Sequence, residues 1–284
     1  MIDAIGGALP RPGTYTGQVR ELLTMATCAA RYPLGVLEGP LPALGDVDDT
    51  VHDTPVVLIH GYGHNRSGWH MLERHLRGAG FSRVAAFNYN SFWPSVPEVA
   101  ERLAHRIEVI RAVTGSDKVH VVGHSLGGII LRWYVQEEGG DQAVHTAVTV
   151  AAPHEGAVVA RLCIGETAKQ LRPGSWVMRR LERSARPSDV RWVAFYSNLD
   201  VLVPGTSAML RHPALAATNL LAKDHGHLSA MLSPRVAAAI TRQLEAAEGV
   251  EGLATVSALP PADTAAGPEA TALAPKRPGT VCFG

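Results

Sequence analysis

From Thr54 onward the chain alternates short apolar runs with longer amphipathic stretches. Segments 55–59, 82–87, 118–122, 145–150, 190–196 and 217–221 are short, rich in Val, Ile, Leu, Phe and Ala, and mostly bounded by glycine or polar residues. They read as buried strands. Between them, 67–77, 96–113, 126–138 and 235–247 are long enough for helices. In 96–113, Val99, Leu103, Ile107, Ile110 and Val113 recur three or four residues apart and define one apolar stripe. Strands alternating with helices of this length predict an α/β domain, 51–250, with a mostly parallel central sheet covered by helices on both faces.

Three stretches depart from that alternation. Segment 157–188 carries two short helical patterns, one with Val158, Val159, Leu162 and Cys163, the other with Trp176, Val177, Met178 and Leu181. An insertion at that point falls over the C-terminal edge of the sheet, so it is expected to be a helical cap that shapes access to a site. Segment 1–50 is expected to be a helical extension. It starts irregularly over 8–17; then Val19, Leu22, Leu23, Met25, Ala26, Ala29 and Ala30 line one face of a helix that Tyr32-Pro33 ends. That face is expected to pack on the flank of the domain, or to wall an acyl-binding site or touch a membrane. Segment 251–284 is rich in Ala and Pro without periodicity and reads as a disordered tail.

Composition narrows the function classes. The 284 residues are 46% hydrophobic, enough for a large core, and 26 basic side chains balance 26 acidic ones. A bulk electrostatic drive toward nucleic acid or anionic membranes is therefore not expected. No apolar run approaches the roughly 18 residues of a membrane span. Met1-Ile2-Asp3-Ala4 lacks the basic start and apolar core of a secretory signal, so a cytoplasmic location is expected. Cys28, Cys163 and Cys282 are too far apart to suggest a disulfide framework. His70 and His75, five apart on a helix, do not share a face, and no other histidines make a local ligand pair, so no metal is expected. The absence of a phosphate loop and of a dinucleotide fingerprint predicts no cofactor.

The chemistry gathers at the end of the third strand. There Gly123-His124-Ser125-Leu126-Gly127 passes directly from a β-branched run into an apolar helical pattern. This is the form of a nucleophile elbow, with Ser125 on a sharp turn and glycines where neighbouring backbone must come close. A serine hydroxyl is a weak nucleophile until a base takes its proton. The partners are sought at the carboxyl ends of the other strands. Asp200 follows the strand 190–196. His227 follows the strand 217–221, with Asp224 a rival acid and His225 a rival base on the same loop. An oxyanion hole at an elbow uses two backbone N–H groups, one from the residue after the nucleophile and one from the first strand–helix loop. Here those are Leu126 and, after His60-Gly61, Tyr62.

Taken together, His60-Gly61-Tyr62-Gly63, Gly123-His124-Ser125-Leu126-Gly127-Gly128, Ala152-Pro153-His154-Glu155-Gly156, the stretch 196–204 and Gly226-His227-Leu228 resemble the α/β-hydrolase superfamily, and within it bacterial serine lipases and esterases. The resemblance covers 54–247. It implies the α/β-hydrolase fold and favours His227 over His225. It also implies hydrolysis of carboxylic esters of aliphatic acyl chains through an acyl-enzyme, with Ser125, Asp200 and His227 catalytic and no metal or cofactor. A small-molecule or lipid ester would be the partner, with transient contact at a lipid interface and no nucleic acid. Acyltransferases and thioesterases use the same triad and remain the alternative; a non-catalytic binding protein on this scaffold is a remote one.

Overall fold

In the computed structural model, which describes residues 12–36 and 52–249, the alternation closes into one sheet. The helix α1 (Pro12–Arg31) is followed by a 3₁₀ turn (Tyr32–Gly35). Next come β1 (Val56–Ile59), a 3₁₀ turn (Arg66–Trp69), α2 (His70–Gly78), β2 (Val84–Phe87), α3 (Val96–Thr114) and β3 (Val119–His124). The chain continues through α4 (Leu126–Glu137), α5 (Gly140–Ala143) and β4 (Val144–Val150). A 3₁₀ turn (Val158–Arg161), α6 (Glu166–Gln170) and α7 (Trp176–Arg183) separate β4 from β5 (Arg191–Ser197). Then α8 (Gly205–Ala208), a 3₁₀ turn (Pro213–Leu215), β6 (Thr218–Ala222) and α9 (Pro234–Ala247) complete the described elements.

The strands run parallel in the order β2-β1-β3-β4-β5-β6. This is the α/β-hydrolase fold. β1 and β3 are neighbours, with Ile59 level with Gly123. From β1 the chain turns outward to β2, and from β3 it proceeds the other way to β6. The carboxyl ends of β1 and β3 therefore flank the switch point, where open α/β sheets bind their ligands.

Both sheet faces are covered, so every residue of β1 and β3 is buried. On one face Ile59, Val121 and Ala147 pack with Val99, Leu103 and Ile107 of α3 and Ile129 and Ile130 of α4. On the other, Leu58, Val122 and Val148 pack with Leu72 and Leu76 of α2 and Val236 and Ile240 of α9. α3 begins with a reciprocal cap between Ser95 and Glu98 and stops at Gly115 with φ +69°. All six expected strands are found with small shifts at their ends. The single-turn helices α5, α6 and α8 were not expected, because one turn shows no periodicity.

α1 corrects the reading of the N-terminal stretch twice. Residues 12–17 are helical rather than irregular, starting at a proline whose fixed φ suits a first helical turn. The expected packing face is also wrong: Val19, Leu22, Leu23 and Met25 are exposed, whereas Gly17, Thr24 and Cys28 are buried and Glu21 is half-buried. A small and polar face wins because it lets the helix approach polar loop backbone and hydrogen-bond to it. The expected tail at 251–284 and Cys282 lie outside the described residues; Cys28 and Cys163 are free thiols. Among the described residues, no group of His, Cys, Asp or Glu side chains is arranged to hold a metal ion. None of the described helices is long and apolar enough to cross a membrane.

Candidate active site

Ser125 sits between β3 and α4 with φ +52° and ψ −119°, a conformation that L-residues rarely adopt. Surrounding hydrogen bonds impose it: Ser125 N–H donates to Val150 O at 2.9 Å, and Gly128 N–H donates to Ser125 O at 3.0 Å. Such strain costs about 1–3 kcal/mol and persists only where the fold over-determines it. The flanking glycines are steric requirements. A Cβ on Gly127 would overlap the carbonyl of Ile59, and one on Gly123 would overlap the backbone of Gly127. Leu126 opens α4, so its N–H is among those a helix leaves without an intrahelical partner.

Asp200 and His227 meet across the loops after β5 and β6. His227 Nδ1 lies 2.7 Å from Asp200 Oδ2. The other carboxylate oxygen, Oδ1, accepts from Leu202 N–H at 2.9 Å and Val203 N–H at 2.8 Å. Asp200 is therefore at once a turn-forming aspartate and a partner to the imidazole, one oxygen for each task. The rivals are engaged elsewhere. His225 bonds Ser233 Oγ and the Lys223 carbonyl, while Asp224 accepts from Asn198.

Ser125 and His227 line the same cavity, about 300 Å³ in volume. No hydrogen bond links the two side chains, a separation common before substrate binds. Tyr62 lies at the cavity wall with its hydroxyl donating to Ile164 O at 2.8 Å, which ties the loop after β1 to the segment between β4 and β5. That segment supplies Val159, Cys163 and Leu171 to the lining, and Leu202 and Leu228 face the same space. Apart from a few polar groups near Ser125 the lining is apolar. Depressions beside α2 and beside α3 are of similar size but hold neither Ser125 nor His227.

Three histidines around the site are braces. His60 Nδ1–H donates to Gly61 O at 2.9 Å, its Nε2 accepts from Tyr89 N–H at 3.3 Å, and the Tyr89 hydroxyl donates to His60 O at 2.7 Å. Burial pushes the His60 imidazole down to about 4. His124, beside the serine, donates from Nε2 to the His227 carbonyl at 3.0 Å. Burial, and secondarily the neighbouring His227, hold it well below the ordinary histidine range, so it is neutral. His154 is likewise kept neutral by burial and meets Thr149 Oγ1 at 3.0 Å through Nε2.

Two further polar side chains were missed from the sequence. Arg132, buried on α4, donates to His154 O at 3.2 Å, Leu181 O at 3.1 Å and Gln136 Oε1 at 2.8 Å, joining the elbow helix to α7. Its only sequence signal is a cation within an otherwise apolar helical run. Glu21 of α1 reaches the loop that carries His227, and nothing in its local pattern marks it.

A family model described as the alpha/beta hydrolase fold matches residues 54–171. Similar solved structures include the mature form of a lipase from Bacillus licheniformis, 17% identical with a TM-score of 0.60, covering 70% of this chain and 96% of that one. A putative aryl esterase from Burkholderia cenocepacia is 20% identical with a TM-score of 0.54, covering 72% and 93%. Lipase B of Aspergillus fumigatus is 18% identical with a TM-score of 0.61, covering 71% of this chain but 54% of the longer fungal one.

Proposed function

We propose that this chain, which has the α/β-hydrolase fold, is a serine hydrolase of carboxylic esters with aliphatic acyl chains. The observation that carries the reading is the 2.7 Å contact of His227 Nδ1 with Asp200 Oδ2, beside a strained Ser125 in a shared apolar cavity.

The acyl carbon of the ester is attacked by Ser125 Oγ while His227 Nε2 takes the hydroxyl proton. The carbonyl π-electrons move onto oxygen, where the N–H groups of Tyr62 and Leu126 receive the charge. Such a donor is worth about a hundredfold to a thousandfold in rate. The tetrahedral adduct collapses, the C–O bond to the alcohol breaks, and His227 returns the proton to the departing alkoxide. Water then repeats the sequence on the acyl-enzyme, freeing the carboxylic acid and Ser125. Asp200 keeps the imidazole in the tautomer with Nδ1 protonated and stabilises the imidazolium.

The apolar lining supports an aliphatic acyl group. Each methylene transferred from water is worth about 0.8 kcal/mol, so kcat/KM should rise by at most about fourfold per carbon until the cavity is filled. Rates across 4-nitrophenyl esters of increasing length test this, with Ser125→Ala as the blank. Undiminished hydrolysis by Ser125→Ala defeats the reading. Adding an alcohol and assaying for transesterified product separates hydrolysis from acyl transfer.

A further inference from the structure

We infer that Glu21 of α1 is a positioning residue for the general base. This rests on the reading of His227 as that base. The Glu21 carboxylate accepts the Leu228 N–H at 2.7 Å on Oε1 and the Ser229 N–H at 2.8 Å on Oε2. These are the two peptide groups directly after His227. One residue earlier, Arg20 Nη1 donates to Asp224 O at 3.0 Å, at the start of the same loop. The buried Gly17 of α1 packs against Leu199, next to Asp200, and against the Asp224 carbonyl. One helix therefore touches the loops that carry both proposed partners of Ser125.

The chemistry explains why a carboxylate is needed. The loop between β6 and α9 makes a turn in which Gly226 N–H donates to Ser229 Oγ at 2.8 Å and Met231 N–H donates to Leu228 O at 3.0 Å. The N–H groups of Leu228 and Ser229 point out of that turn toward α1. A charged acceptor bridging both fixes their direction more strongly than water or a neutral side chain, because charge-assisted bonds are roughly twice as strong. His227 is then held at its backbone from two sides, by Glu21 just after it and by His124 at its own carbonyl. Position 226 records the closeness: a Cβ there would lie 2.5 Å from the Glu21 carboxyl carbon, so the loop is shaped around that group. α1 lies wholly outside the matched range 54–171, so this clamp is a feature of this chain beyond the matched core.

The imidazole must stay within a fraction of an ångström of its working position, and a misplacement of about 1 Å costs on the order of a hundredfold in rate. The full-length protein is tested as Glu21→Gln and Glu21→Ala, with Leu22→Ser on the exposed face of α1 as control. The readouts are the rate of Ser125 labelling by a fluorophosphonate, and kcat and KM on a short 4-nitrophenyl ester. Glu21→Ala should slow labelling and kcat by about tenfold to a hundredfold with little change in KM. Glu21→Gln, which keeps one acceptor oxygen, should fall between it and wild type, and Leu22→Ser should match wild type. Labelling of folded Glu21→Ala at the wild-type rate overturns the proposal. So does failure of both Glu21 variants to fold, which would make Glu21 only a stability residue. A wild type whose Ser125 does not label defeats the functional reading and this proposal together, whereas a labelled wild type with an equally labelled Glu21→Ala defeats this proposal alone.

Discussion

The imidazole of His124 donates from Nε2 to the backbone carbonyl of His227 at 3.0 Å, with the two rings 4.8 Å apart. The residue before the proposed nucleophile therefore steadies the residue that would activate it. Replacing it by His124→Phe keeps a ring of similar breadth and removes the donor. We expect kcat to fall by about tenfold with little change in KM, measured on a short activated ester. An unchanged kcat would reduce His124 to a packing residue.

Asp200→Asn separates the two tasks of Asp200. Asparagine Oδ1 still accepts from Leu202 and Val203, so the turn and the fold should survive. Its amide presents a donor to His227 Nδ1 and favours the wrong tautomer. The expected loss is about three to four orders of magnitude in kcat with little change in Tm. A loss of less than about tenfold would mean that Asp200 is a turn residue only.

Arg132 predicts a coupling between α4 and α7. Burial lowers its guanidinium to about 10, against the opposing effect of Glu182, so it remains charged at neutral pH. In Arg132→Leu the Leu181 carbonyl keeps the Gln136 donor at 2.8 Å, whereas the His154 carbonyl loses the Arg132 donor. We expect destabilisation of about 2–4 kcal/mol in urea unfolding. Arg132→Lys should rescue little of it, because a single ammonium cannot span three separated acceptors. Equal stability of Arg132→Lys and wild type would contradict this.

Acid should weaken the fold in two separate windows. His60, lowered to about 4, and His124 and His154, held well below the ordinary histidine range, are all neutral when folded because burial disfavours the charged form. Unfolded, each takes up a proton near pH 6.5. Their contribution is whole above that pH and is lost as pH falls, at up to about 1.4 kcal/mol per pH unit per histidine. Glu248 behaves as a depressed carboxylate. Burial alone would raise it, but hydrogen bonds from His120, Thr54 and His52 hold it at about 2. Its contribution is present above its unfolded value near 4.3 and is lost from there down to about pH 2. Urea midpoints measured between pH 7 and pH 3 should fall throughout, and His154→Gln should flatten the upper part. Midpoints independent of pH between 7 and 5 would refute the histidine argument.

The sheet and the elbow were legible because each rests on a local pattern. A strand buried on both faces is a continuous apolar run, and Gly123 and Gly127 sit where backbone leaves no room for a Cβ. Asp200 and the loop 223–228 were legible by their position after strands, whereas within that loop Leu228 and the family resemblance favoured His227 over His225. Glu21, His124 and Arg132 were not legible, because apart from Gln136, which bonds Arg132 within α4, their hydrogen-bond partners are backbone atoms of residues far away in the chain. On α1 the usual rule misled outright: the apolar residues face outward, and the contact is made by Gly17, Glu21, Thr24 and Cys28. Hydrophobic spacing reports which face is greasy, and only three-dimensional contact reports which face is docked.

The backbone of Ser125, at φ +52° and ψ −119°, has one more consequence. A glycine would occupy that conformation without steric strain, at an entropic cost of about 0.5–1 kcal/mol. Ser125→Gly should therefore raise the urea midpoint, by an amount corresponding to about 0.5–2 kcal/mol once that cost is set against the relieved strain, while abolishing turnover. At this position robustness and reactivity are opposed, and a search for hardier variants of the protein would drift toward inert ones unless activity were selected alongside.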